Sequence, residues 1–120
     1  MSQADLGLPG RAGPAFAGTH IQFYVGGAFS GAPPHFHNHA WNGLAYGRKR
    51  WFLWPPSVAF YSSTPILTFL REEYQDLPPS ARPLEVTQEA GDLLFVPNGW
   101  GHGVLNLQES IGLAEEFTLP

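Results

Sequence analysis

The sequence has no cysteine, few charged residues and no long apolar run, and each deficit excludes a class of protein. Without cysteine there can be no disulfide, no thiolate metal site and no cysteine nucleophile. No apolar stretch approaches the length of about 20 residues that a membrane-spanning helix needs. The N-terminus also lacks the basic-then-apolar order of a signal peptide. None of these features assigns a cellular compartment.

Charge is sparse and slightly negative, with 13% charged residues and a formal net charge of −4. The one basic cluster is Arg48–Arg50, and a short run of charges is typical of a solvated strand edge. A protein that binds nucleic acid through its overall field needs a basic surface. The composition therefore predicts no nucleic-acid partner.

What the sequence does contain fits a single domain rich in turns. Its 120 residues suit one domain and are too few for two. Hydrophobic residues make up 43% and aromatic residues 14% of the chain, which is enough for a packed core. Glycine (14) and proline (12) are abundant without a collagen-like period, so the sequence favours an all-β domain.

Apolar and β-branched segments separated by turn residues predict the order of the elements. Residues 1–18 read as a Gly/Pro/Ala-rich linker or tail, and residues 19–120 as the domain. Turns are predicted at Gly26–Gly27 and Ser30–Pro34. One helix is predicted from Thr64, as N-cap before Pro65, to Tyr74. Strands are predicted at His20–Val25, His35–Tyr46 (with a possible break), Lys49–Trp54, Leu84–Thr87, Leu93–Val96, Val104–Leu107 and Ser110–Thr118.

Gly47–Arg48 is predicted to be the two-residue loop of a β-hairpin, with glycine at the first position. On that hairpin Tyr46 would pair with Lys49, and Asn42 with Leu53. His37 and Asn42 are an odd number of residues apart, so a regular strand would place them on opposite faces. A bulge or turn over residues 38–40 is needed to bring both inward.

Three histidines have spacing that suits a metal ion. In a strand, alternation of side chains would put His35 and His37 on one face, within reach of a single ion. A second segment ends a strand at Pro97, turns through Asn98–Gly99 and delivers His102 at the start of the next strand. Together these histidines favour metal binding over a structural role. His39 is an alternative ligand to either neighbour.

The second histidine segment resembles a motif of the cupin superfamily. It matches the second cupin motif at each defining position, namely Gly91, Pro97, Gly99, His102 and Asn106. The pair His35-x-His37 resembles the core of the first motif, with Asn42 in place of its usual later glutamate. On this spacing His35 and His37, rather than His39, are the motif histidines.

Within the cupins the chain is similar to jumonji (JmjC) domains. The residues Ala40–Asn42 followed by Gly47–Trp51 resemble the cofactor-binding hairpin of small JmjC hydroxylases. The segment that carries His102 resembles the distal histidine segment of the same hydroxylases. The runs Tyr46–Leu53 and Leu77–Glu85 resemble the subgroup typified by jumonji-domain-containing protein eight, and the likeness extends over Tyr24–Phe117.

The resemblance implies a double-stranded β-helix, the cupin or jelly-roll barrel, with one inserted α-helix. It implies an Fe(II)- and 2-oxoglutarate-dependent oxygenase that hydroxylates a protein or peptide. Mapped by residue, His35 is the first iron ligand and His102 the distal one, while His37 stands where the family usually has Asp or Glu. Lys49 would pair with the distal carboxylate of 2-oxoglutarate, with Asn42 as a supporting donor.

The histidine at position 37 is a departure that leaves other functions open. A neutral three-histidine site also suits Zn(II), Ni(II) or Cu(II), so another divalent metal could take the place of iron. Glu115 and Glu116 are candidates for the missing carboxylate, although most glutamates lie at the surface. One alternative is a three-histidine cupin metalloenzyme that does not use 2-oxoglutarate. The other is a non-catalytic interaction or assembly subunit of a larger complex, whose partners would be other subunits.

Overall fold

The computed structural model describes residues 21–119. The predicted tail over residues 1–18, and the start of the first predicted strand at His20, lie outside the described residues. The described chain forms eight strands and one α-helix, α1, at Ile66–Glu72. The strands are β1 Ile21–Gly26, β2 Gly31–His35, β3 His39–Tyr46, β4 Arg48–Trp54, β5 Leu84–Glu89, β6 Leu93–Val96, β7 Gly101–Asn106 and β8 Ser110–Phe117.

The strands form two four-stranded antiparallel sheets. Sheet I has the order β1-β8-β3-β6, and sheet II the order β2-β7-β4-β5. The chain passes repeatedly from one sheet to the other, and α1 lies between β4 and β5. This arrangement confirms the predicted all-β jelly-roll barrel with one inserted helix. Across residues 21–119, no helix is both long and apolar enough to cross a membrane.

Apolar side chains pack on both faces of sheet II. Inside the barrel, Trp51 packs with Val96 and Val104. On the outer face, Phe52 and Trp54 pack with Leu105 against the buried helix residues Ile66 and Phe69. Because successive strand residues point to opposite faces, β4 contributes to both clusters. Burial of such large side chains is the main favourable term in folding.

Two predicted boundaries are wrong for reasons connected with proline. The predicted turn at Ser30–Pro34 is largely strand β2, which contains Pro33 and Pro34. Proline is tolerated there because β2 is an edge strand, and the pairing with β7 is irregular between Ala32 and His35. Helix α1 starts at Ile66 with Pro65 as its N-cap residue and no side-chain cap, so Thr64 does not cap it.

The predicted β3–β4 hairpin is also wrong. Strand β3 pairs with β6 and β8, whereas β4 pairs with β5 and β7, so Tyr46 does not pair with Lys49, nor Asn42 with Leu53. Gly47 alone connects the two strands and carries the chain from one sheet to the other. Its φ is 101°, a left-handed conformation that suits glycine, which is why the sequence resembles a hairpin turn.

We expect Gly47→Ala to destabilise the fold by at least about 1–2 kcal/mol, the cost of forcing a side chain into left-handed backbone. A Cβ atom at Gly47 would also lie 2.3 Å from the Glu109 carbonyl oxygen. Gly91→Ala is the matched control, since Gly91 has φ 94° but no atom within 4 Å of an added Cβ. Urea unfolding should therefore show the larger loss for Gly47→Ala, and equal losses would contradict the steric explanation.

Candidate metal centre and adjoining cavity

His35, His37 and His102 meet at one end of the barrel. His35 ends β2 and pairs directly with His102 on β7. The ring centroids lie 4.1 Å apart for His35 and His102, 4.7 Å for His37 and His102, and 5.4 Å for His35 and His37. The structure thus brings together the three histidines singled out in the sequence.

Each of these imidazoles is oriented by a backbone carbonyl oxygen at its Nδ1 atom. His35 Nδ1 lies 2.8 Å from the Pro33 oxygen, His37 Nδ1 2.9 Å from the Asn38 oxygen, and His102 Nδ1 3.2 Å from the Trp100 oxygen. Because a carbonyl can only accept, Nδ1 carries the proton in each ring. The lone pair of the neutral imidazole is then on Nε2, as in metal-binding histidines oriented by a second hydrogen bond.

The potential ligand atoms of the three histidines lie within 4.8 Å of one another. Bonds of about 2.1 Å to one ion require nitrogens roughly 3–3.5 Å apart. The cluster is therefore somewhat wider than a metal-bound triad. Metal binding would therefore require the three side chains to move closer together.

Burial keeps His35 and His102 neutral, which is the form that binds metal. Desolvation, followed by repulsion from His35, lowers the pKa of His102 to about 4. Desolvation also lowers the pKa of His35, with a further lowering from His37. Two of the three imidazoles are therefore unprotonated at neutral pH without any metal.

Irregular backbone was expected next to this site over residues 38–40. Residues 36–38 belong to no strand, so the observed break overlaps the expected segment at Asn38 and otherwise lies before it. His39 itself accepts a hydrogen bond from the Asn98 amide at 3.0 Å and stacks on Phe95 and Phe117. It is not part of the His35, His37 and His102 cluster.

The triad lines one end of a cavity of about 530 Å³ between the two sheets. A cavity of this size can hold a small molecule. Lys49 and Asn42 also line it. Lys49 pairs with Asn106 across β4 and β7, whereas His102 pairs with Leu53. Lys49 and His102 are therefore offset by four residues along β7, which corresponds to about 13 Å of strand.

Lys49 is a buried cation without an anion. Its side chain is 7% exposed, and its ammonium lies 3.9 Å from the centre of the Tyr24 ring. No carboxylate pairs with it in the part of the chain that the structure describes. Desolvation lowers the pKa of Lys49 to about 8. A buried charge is costly unless a counter-charge is supplied, so this end of the cavity is suited to an anionic ligand.

Asn42 is fixed beside Lys49 by a network that joins the two sheets. Its Oδ1 atom accepts the Tyr24 hydroxyl at 2.7 Å. Gln88 Nε2 donates to the Asn42 backbone oxygen at 3.0 Å, and Gln88 Oε1 accepts from Trp51 Nε1 at 2.9 Å. Since Oδ1 is occupied, the amino group of Asn42 is the part left as a donor to a ligand.

The pKa of Lys49 predicts how the stability of the metal-free protein depends on pH. Its folded-state value of about 8 lies below the ordinary 10.5, so between these pH values the unfolded chain binds a proton that the folded protein has released. The free energy of unfolding should therefore rise from pH 8 to 10.5, by up to about 3 kcal/mol. Lys49→Met should lack this rise in urea unfolding, and parallel pH profiles would contradict the assignment.

The two glutamates of β8 differ in position. Glu115 is buried, which corrects the expectation of a surface residue, and its carboxylate accepts from Trp41 Nε1 at 3.1 Å. Glu116 is exposed, and its carboxylate lies 3.9 Å from His37 Nδ1. Within residues 21–119, Glu115 is not part of a side-chain cluster that could hold a metal ion. Glu116, rather than Glu115, is the carboxylate beside the triad.

Sequence reasoning missed Tyr24 and Gln88. Tyr24 alternates with Gln22 and Gly26 along β1, and all three line the cavity. That alternation was visible in the sequence, but which face is inward depends on the pairing of β1 with β8. Gln88 on β5 is 2% exposed, and no motif marks it.

Two facing antiparallel sheets around a cavity lined by histidines define a cupin barrel. No family model matches the chain. It is 45% identical over 112 residues to human "JmjC domain-containing protein 8", covering 92% of this chain and 40% of the relative. It is 35% identical over 104 residues to "2-oxoglutarate and iron-dependent oxygenase JMJD4" of Danio rerio, covering 75% and 24%. The chain belongs to the JmjC family of the cupin superfamily.

The chain spans less than half the length of these curated relatives. Among solved structures, it is similar to the ribosomal oxygenase YcfD of Escherichia coli, solved in complex with cobalt and 2-oxoglutarate. The TM-score is 0.63 with 18% sequence identity, and the match covers 92% of this chain and 26% of YcfD. At 18% sequence identity, this similarity shows a shared fold and no more.

Proposed function

We propose that this chain is the metal- and co-substrate-binding core of an Fe(II)- and 2-oxoglutarate-dependent oxygenase of the JmjC type. The main support for this proposal is that one cavity contains both a potential metal site and a potential anion site. A cluster of three imidazoles lies at one end, and a buried lysine without a counter-ion lines the same cavity.

The triad fits a divalent metal by its chemistry. Its members His35, His37 and His102 each retain Nε2 as a ligand atom, because a carbonyl oxygen holds Nδ1. Imidazole suits iron, zinc, nickel and copper, and three protein ligands leave coordination positions open. The JMJD4 relative is named as an iron-dependent oxygenase, which favours Fe(II) here.

The deep end of the cavity fits the second carboxylate of 2-oxoglutarate. Lys49 would supply a charge-assisted hydrogen bond, Asn42 an amide donor and Tyr24 a neighbouring hydroxyl. The network through Gln88 holds Asn42 in place before a ligand enters. These groups would bind and orient the co-substrate.

Iron with 2-oxoglutarate would supply oxidation of a substrate C–H bond by O2. We propose a protein or peptide as the substrate, since the structurally similar YcfD is a ribosomal oxygenase. His37 in place of a carboxylate ligand specifically favours a second candidate, a metalloenzyme that does not use 2-oxoglutarate.

Calorimetric titration of 2-oxoglutarate separates these functions. With Mn(II) as a redox-stable ion, 2-oxoglutarate should bind the metal-loaded protein and bind the metal-free protein much more weakly. Binding of Mn(II) without 2-oxoglutarate would favour the second candidate. Binding of neither would contradict both and favour the interaction subunit.

A further inference from the structure

We infer that Glu116 supplies the negative charge of the metal centre from beside His37, without being one of the three ligands. The inference rests on the proposed metal site. The triad carries no formal charge in its neutral form, whereas it would hold a divalent cation. In residues 21–119, Glu116 is the carboxylate within 4.0 Å of a triad nitrogen, at 3.9 Å from His37 Nδ1.

The backbone brings Glu116 to this position. On β8, Glu116 pairs with Ala40 on β3, and both line the same cavity as the triad. Neighbouring Glu115 pairs with Trp41 and also lines this cavity, but its carboxylate accepts a hydrogen bond from Trp41 Nε1 at 3.1 Å. Glu116, whose carboxylate lies 3.9 Å from His37 Nδ1, is therefore the glutamate placed beside the metal centre.

A hydrogen bond fixes the carboxylate to the segment that carries His37. The Asn38 amide donates to Glu116 Oε1 at 3.2 Å. Asn38 follows His37 directly and also supplies the carbonyl oxygen that accepts from His37 Nδ1. Glu116, Asn38 and His37 thus form one connected unit, so movement of His37 toward an ion keeps the carboxylate nearby.

Glu116 would act on the metal through His37 and would not bind the metal itself. A histidine that donates charge to a metal becomes more acidic at its far ring edge, and an anion at that edge raises its strength as a ligand. Such partners change metal affinity by about 10–100-fold. Since the Glu116 side chain is 45% exposed, solvent screening places the expected effect near the lower end.

The test measures Mn(II) affinity by electron paramagnetic resonance of the free ion in a double-mutant cycle. In the parent protein, Glu116→Gln should weaken Mn(II) binding by about tenfold. Glutamine keeps the acceptor for the Asn38 amide, so the urea midpoint of the metal-free protein should not change. Glu109→Gln, an exposed glutamate near the opposite end of β8, is the control for loss of charge.

The second arm of the cycle introduces a carboxylate ligand with His37→Asp. In that background the charge is supplied directly, and Glu116 becomes a like-charged neighbour of a ligand. Glu116→Gln should then leave Mn(II) affinity unchanged or improve it. An equal loss in both backgrounds, or no loss in the parent, would overturn the inference while the metal site stands. Absence of Mn(II) binding by the parent protein would overturn the proposed function and this inference together.

Discussion

Replacing His102 with alanine should lower the affinity for Fe(II) or Mn(II) by more than about a hundredfold. Loss of an outer-shell partner already costs 10–100-fold, and His102 would be a direct ligand. It is also the most buried member of the triad, at 5% exposure. Anaerobic metal titration measures the loss.

His39→Asn is the control for this variant. It removes a neighbouring imidazole but retains an acceptor for the Asn98 amide. Metal affinity should stay within about twofold of the parent value, because His39 lies outside the triad. A larger loss for His39→Asn than for His102→Ala would assign the ion to a different set of histidines.

Replacing Lys49 with methionine should weaken 2-oxoglutarate binding by roughly 10- to 100-fold and leave metal affinity nearly unchanged. The basis is a charge-assisted hydrogen bond of about 1.5–3 kcal/mol. The metal-free variant should be at least as stable as the parent near pH 7, because an unpaired buried cation has been removed. Arg48→Met, which removes an exposed cation paired with Glu89, is the matched control.

Lys49 also provides a spectroscopic check, since it is the single lysine in the sequence. Selective isotope labelling of lysine gives one side-chain signal whose titration reports its pKa. The free protein should show a value of about 8. Bound 2-oxoglutarate should raise the pKa, because an adjacent anion stabilises the ammonium form. An unchanged pKa in the presence of saturating ligand would contradict direct contact.

Strand composition and turn residues predicted the barrel and most of its elements. Strand β6 has the predicted bounds, and β8 ends one residue before its predicted end. The sheet to which each strand belongs was not predictable from local pattern. A left-handed glycine occurs equally in a hairpin and in a connection between sheets, and only long-range pairing separates the two for Gly47.

At the site, motif spacing singled out the three histidines that the structure places close together. Regular strand alternation did not produce their convergence, because His37 lies in an irregular segment. The positions of Glu115 and Glu116 were also beyond a sequence argument. Base rates place both at the surface, whereas the sheet buries one and sets the other beside His37.

Optical absorption of the protein, titrated with Fe(II) and 2-oxoglutarate without oxygen, shows whether the two bind together at one site. Chelation of one iron ion by 2-oxoglutarate gives a charge-transfer band that neither component gives alone. The band should appear in the parent protein, disappear in His102→Ala and require more 2-oxoglutarate in Lys49→Met. Fe(II) binding with no band at saturating 2-oxoglutarate would contradict the oxygenase function and leave a metal site of another kind.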